Sequence, residues 1–232
     1  WLSPNGVLKA IIEINFLEEK LEVIILEGNT HELIDYFNKI IFPADDVILS
    51  DPFSIYRFQE VDEINSWRIY PPIFFKNKDQ SYKDYKKNLN IMDANDLKLW
   101  KINQAIPSMD YEIDGKNNPL ELGLKDLIDF NKGCFLGQEK IAKIKNASSL
   151  KHEIRVWKSS DSDINLESNN SYLYDNFSKK SIAGKTTSFY KSDSEFKGLA
   201  IVKRKYLQKG KILYSEIFGN IKIDQSVGSI FP

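Results

Sequence analysis

The sequence predicts an α+β protein whose last third is a small antiparallel β-barrel or sandwich. Three observations carry this. Apolar runs over residues 7–15 and 20–26, a helical stripe over 33–41 and short apolar runs over 47–49 and 55–61 give the order β-β-α-β. That order builds an antiparallel sheet with helices on one face. Beyond residue 150 the character changes. Residues 152–157, 171–174, 181–189, 199–203, 212–218 and 221–223 are strand-like runs split by glycine and polar turns. Between the two regions, Asn146-Ala147-Ser148-Ser149 reads as a hinge. The predicted domains are therefore 1–148 and 149–232. No internal repeat is present.

The elements follow in order. The first hairpin turns at Leu17-Glu18-Glu19. Asn29-Thr30-His31-Glu32 has capping-box spacing, with Asn29 as the cap. Leu33, Ile34, Phe37, Ile40 and Ile41 make one apolar face, and Pro43 closes that helix. Tyr70-Pro71-Pro72 breaks the pattern, and the Lys-rich stretch 76–90 reads as an exposed loop or linker. Leu97, Trp100 and Ile102 predict a helix ending before Pro107. Residues 115–119 form a turn-rich loop, 122–130 a short helix and 137–145 another, with Ile141 and Ile144 on one side.

Composition narrows the function classes. The 232 residues are 42% hydrophobic with a formal charge of -1, so no global field points to nucleic acid or an anionic membrane. No direct DNA binding is expected, and a monomer is. With one cysteine, Cys134, and two histidines, His31 and His152, the chain forms no intrachain disulfide and no zinc site of usual spacing. It cannot hold an iron–sulfur cluster alone, because such clusters need several thiolates. No apolar run approaches the roughly 18 residues of a spanning helix, so no membrane partner is expected. No signal peptide is visible, which makes the cytoplasm the default location. The sequence opens at Trp1 in a strand-forming region, so an N-terminal segment is expected ahead of it.

The stretch richest in chemistry is Lys132-Gly133-Cys134-Phe135-Leu136-Gly137-Gln138-Glu139. Two glycines permit a tight loop whose backbone can approach a ligand. Gln138 and Glu139 open a helix, so free N–H groups point back at the loop. A thiol near that helix start and beside Lys132 has its thiolate favoured. A single cysteine is nevertheless more often a buried small hydrophobe.

This stretch resembles the signature K-G-C-[YF]-x-G-Q-E of the YgfZ/GcvT-like family, folate-binding relatives of the glycine cleavage T-protein. Other segments agree in order. Residues 2–8, LSPNGVL, are similar to the family's L-x-P-x-G-R-x-L hairpin. Residues 101–107, KINQAIP, resemble R-I-x-x-G-I-P, and 119–124, PLELGL, resemble P-x-E-x-G-L. Residues 182–188, IAGKTTS, and 198–202, GLAIV, resemble two of the family's strands. Three departures stand out: Lys101 and Lys143 where the family has Arg, and Ala105 where it has Gly. Lysine keeps the charge but loses the planar fork.

The resemblance implies a T-protein-like folate-binding core, antiparallel sheets with helices, followed by the barrel. It implies tetrahydrofolate or a derivative as cofactor. It implies a role supporting assembly or repair of iron–sulfur enzymes, tRNA-modifying enzymes among them, with client or assembly proteins as partners. The implied cofactor-binding residues are Asn103, Glu121, Lys132, Gly133, Gly137, Gln138, Glu139 and Lys143, and Cys134 is the implied functional thiol. Glu121 also reads as a helix-start carboxylate placed by the macrodipole. Lys125, Lys132, Lys140, Lys143, Lys145 and Lys151 read either as a solvated face or as a rim for the folate glutamate tail.

Two other function classes stay open. One is a folate-dependent aminomethyltransferase or demethylase. The stretch 6–12, GVLKAII, lacks the acidic residues that T-proteins carry there, which speaks against it. The other is a partner-binding module that has lost folate. Trp157, Tyr172, Tyr174, Phe189 and Tyr190 interleave with lysines, as in stacking platforms for single-stranded nucleic acid and equally in ordinary antiparallel strands.

Overall fold

A computed structural model describes residues 1–18, 20–60, 72–146, 150–160, 171–192, 194–208 and 211–224. It is a mixed helix-and-sheet structure in two compact units. One unit is Ala10–Asp93; the other joins Trp1–Lys9 to Ala94–Ile230.

In the first unit, β1 (Ala10–Phe16) and β2 (Leu21–Gly28) form the expected antiparallel hairpin, with a register shift between Ile11 and Ile12. Asn29 Oδ1 accepts from the Glu32 N–H at 3.1 Å and starts α1 (Thr30–Ile40), which buries Leu33. Residues 47–49 form no strand. The strand expected at 55–61 is β3 (Tyr56–Phe58), paired with β4 (Ile73–Phe75); Val61 and the Tyr70-Pro71 part of the break lie outside the described residues.

The polar stretch 76–90 is not simply a loop. It contains α2 (Gln80–Lys87), whose N-terminus is capped by Asp79 Oδ1, 3.0 Å from the Tyr82 N–H. Lysines dominate its composition, but Tyr82 and Tyr85 share one face three residues apart. Both rings pack on Phe58 and Phe75 with centroids 5.4–5.8 Å apart. That aromatic cluster holds the helix against the β3–β4 pair.

The second unit is built on a closed six-stranded antiparallel barrel. Its strands are β5 (His152–Ser159), β6 (Tyr172–Tyr174), β7 (Ile182–Lys191), β8 (Phe196–Lys203), β9 (Ile212–Ser215) and β10 (Gly219–Ile223), closed in the order β10-β5-β8-β7-β6-β9. All six expected strands are present. Closure leaves no open sheet edge. Trp157, Leu173, Phe196, Leu213, Phe218 and Ile221 fill the interior. The Trp157 ring lies 4.7 Å from Phe218, and its Nε1–H donates to Leu199 O at 2.9 Å. Trp157 and Phe189, two of the interleaved aromatics, are therefore accounted for by core packing.

The unit is larger than the expected C-terminal domain, because residues 94–146 belong to it. The helix α3 (Ala94–Asn103) packs on β7 and β8. The hinge positions 147–149 lie outside the described residues. The physical reason for the union is Glu112. Its carboxylate is fully buried. Oε2 accepts from the Ser108 N–H and Oγ–H at 2.9 and 3.2 Å. Oε1 accepts from the Ser188 N–H and Oγ–H at 3.1 and 2.8 Å and from Thr187 Oγ1. One side chain thus ties the loop after α3 to strand β7.

Candidate functional site

The signature leads into α4 (Gln138–Asn146), as expected. The loop ahead of it closes on itself. The Phe135 N–H donates to Gln138 Oε1 at 3.2 Å, and the Gln138 N–H donates to Phe135 O at 3.1 Å. Gln138 is thus a loop-closing residue. Gly137 has a left-handed backbone, φ 78°. A Cβ on Gly137 would stand 2.6 Å from Ser3 O and 2.8 Å from the Gly6 Cα.

That approach brings the signature loop against residues 2–8. Residues 2–8 fold into a tight turn, with the Ser3 N–H on Val7 O and the Gly6 N–H on Ser3 O, both at 2.9 Å. Leu2 and Leu8 bridge across it, and the Leu8 N–H donates to Asn117 O at 2.9 Å. The buried Ile141 of α4 sits 3.1 Å from where a Gly6 Cβ would lie. The start of α4 is therefore seated on the glycine turn at backbone contact.

Phe135 and Leu136 are half-buried. Gly133, Cys134, Lys132, Glu139 and Lys143 are all exposed. A Cβ on Gly133 would meet nothing within 4 Å, so only Gly137 of the two glycines is required by the fold. Glu139 and Lys143 form an i,i+4 pair at 2.6 Å. That hydrogen bond, before the Lys143 charge itself, holds the Glu139 carboxyl below its usual range. Lys132 Nζ lies 5.2 Å from the Phe135 ring centroid, and Lys145 Nζ lies 4.0 Å from that of Phe130. The two rings meet edge-on, with a lysine over each.

Glu121 does not start a helix. Residues 122–130 contain turns and one 3-10 turn, Lys125–Leu127. The chain is held in that form locally: Asn118 Oδ1 accepts the N–H groups of Leu120 and Glu121 at 3.0 Å, and Gly123 has φ 72°. The Ile154 N–H donates to Glu121 O at 2.8 Å, which pins the turn to β5. The Glu121 carboxylate is 13% exposed, accepts from Asn118 Nδ2 at 2.8 Å and lies 3.3 Å from His152 Nδ1.

Glu121 lines a cleft of about 750 Å³ with Ile128, Phe130, Lys145, Arg155 and Arg204. The two arginines converge on Glu153: Arg155 through Nη2, Arg204 through Nε at 2.7 Å. This arginine–glutamate network was not singled out from sequence. Arg155 lies within β5 and Arg204 just after β8, and nothing in the sequence pairs the two. Among the described residues, no group of three His, Cys, Asp or Glu side chains is placed to hold a metal ion.

Asn103 is exposed in the last turn of α3 and does not line that cleft. Two residues on, Ala105 sits at φ 52°. Its N–H donates to Ile102 O and the Ile106 N–H to Lys101 O, a Schellman ending that glycine usually occupies. Alanine thus occupies a left-handed helix ending at which glycine would be unstrained.

The chain matches no protein-family model and no curated protein. Among the described residues, no helix is long and apolar enough to cross a membrane.

Proposed function

We propose that this chain is a folate-binding accessory protein that supports assembly or repair of iron–sulfur enzymes. The observation that carries the reading is the seating of the KGCFLGQE loop on the LSPNGVL turn through Gly137 and Gly6. Two motifs separated by more than a hundred residues share one backbone contact that neither composition nor propensity requires.

The cleft beside Glu121 supports a reduced folate by its size and chemistry. Its volume of about 750 Å³ lies within the usual range for small-molecule sites. Phe130 and Ile128 offer apolar walls for a flat ring. The Glu121 carboxylate would accept from the pterin N–H edge, and Lys125, Lys145 and Arg204 would face the glutamate carboxylates. Bound folate would supply a carrier for one-carbon units or reducing equivalents. The exposed thiol of Cys134, outside the cleft, suits contact with a client protein.

Glu121→Gln tests the placement of the ligand. It keeps the side-chain size and removes the charge. Loss of one charge-assisted hydrogen bond predicts about tenfold weaker tetrahydrofolate binding by calorimetry, with an unchanged melting temperature. Equal affinity in a folded variant would move the ligand away from Glu121.

A further inference from the structure

We propose that the outer face of the barrel binds single-stranded RNA along a row of three lysines, Lys222, Lys158 and Lys197. The row is set by strand register. Lys222 of β10 stands opposite Lys158 of β5, and Lys158 stands opposite Lys197 of β8. Adjacent strands are ~4.8 Å apart, so three cationic stems rise within about 10 Å. Like charges directly opposite each other weaken a sheet. Strand alternation puts all three on the outer face; Lys158 and Lys222 are exposed and Lys197 is half-buried, so the core does not call for lysine at any of them.

The nearby acids compensate the row only in part. The Glu195 carboxylate is 3.8 Å from Lys158, a loose and exposed pair. Glu195 and Asp224 also act on Lys197. Even so, the Lys197 ammonium is pushed below its usual range, first by burial and then by Lys158. A polyanion laid along the row would relieve that repulsion.

Aromatic rings flank the row at both ends, which favours a nucleic acid over an acidic peptide. Tyr190 of β7 stands opposite Lys197. At the other end Ile212 of β9 stands opposite Lys222, and Tyr214, two residues on and on the same face, pairs with Tyr174 of β6. Phe177, 67% exposed, stacks on Tyr214 with centroids 4.1 Å apart. Phosphates on lysines with bases on rings is how single strands are held without sequence readout. Unpaired, splayed bases are the standing state of RNA loops, which selects RNA over a duplex. The near-zero net charge does not oppose this, because the row is a local field.

The test is fluorescence anisotropy with a labelled oligouridylate, using the whole chain and the triple variant Lys158→Gln, Lys197→Gln, Lys222→Gln. The wild type is expected to bind, more weakly as salt rises. The triple variant should bind at least roughly tenfold more weakly, with a log–log salt slope smaller by about 2. Its melting temperature should not fall, because like-charge repulsion is removed. Phe177→Ala should weaken binding several-fold and leave the salt slope unchanged. The proposal is overturned if the wild type does not bind, or if the folded triple variant binds as well. Competition by polyglutamate as effective as that by unlabelled oligouridylate would also overturn it, in favour of an acidic protein partner.

Discussion

Glu112→Ala is expected to lower the unfolding free energy of the barrel unit by roughly 3–5 kcal/mol. The carboxylate is fully buried and accepts from Ser108, Thr187 and Ser188, on both sides of the junction between the loop and β7. Removing it leaves two backbone N–H groups and three hydroxyls facing a void. The hydroxyls can turn elsewhere; the N–H groups cannot. Glu112→Gln separates charge from shape. Its amide oxygen can still serve Thr187 and Ser188, while its NH₂ would face the Ser108 N–H, so a smaller loss of about 1–3 kcal/mol is expected. Urea denaturation followed by circular dichroism measures both. A loss below about 1 kcal/mol for the alanine variant would mean that the network contributes little.

The second large effect is expected at Gly137. Gly137→Ala places a Cβ 2.6 Å from Ser3 O and 2.8 Å from the Gly6 Cα, both backbone atoms that have no rotamer to adjust. It also forces alanine to φ 78°. Left-handed strain and overpacking together predict a loss of about 2–4 kcal/mol. Gly133→Ala is the internal control in the same loop. Its Cβ meets nothing within 4 Å, and its stability should stay within about 0.5 kcal/mol of wild type. Similar losses for the two variants would contradict the seating of α4 on the Ser3–Gly6 turn.

The barrel was legible in the sequence because its strand-like runs are separated by glycine and polar turns at short, regular spacing. α1 was legible from Asn29 and the apolar stripe that follows. α2 was not, because its lysines hide two tyrosines whose partners, Phe58 and Phe75, lie on other elements. Residues 122–130 have helical spacing, yet Asn118 and Gly123 commit the chain to turns, and periodicity does not see that. The link between residues 94–146 and the barrel was also illegible. It rests on Glu112, a carboxylate that in sequence looks like any surface acid.

The candidate site divides in the same way. Gly137 and Gln138 have structural duties that explain their residue types: close backbone approach for one, loop closure for the other. Glu121 lines a cleft, although as part of a turn. Glu139 and Lys143 pair with each other in solvent, so the structure supplies no pocket for them. Lys132, Gly133 and Cys134 form an exposed rim, where any role depends on what meets it. The Glu153–Arg155–Arg204 network is visible only once β5 and the turn after β8 are side by side.

The most direct test of the central reading is an isothermal titration of tetrahydrofolate and its methyl and formyl forms into the folded chain. The reading predicts saturable binding of at least one of them in the micromolar range, about -8 kcal/mol, with a matching rise in melting temperature. Absence of both heat and thermal shift for all three would contradict it and leave the chain as a partner-binding module without folate.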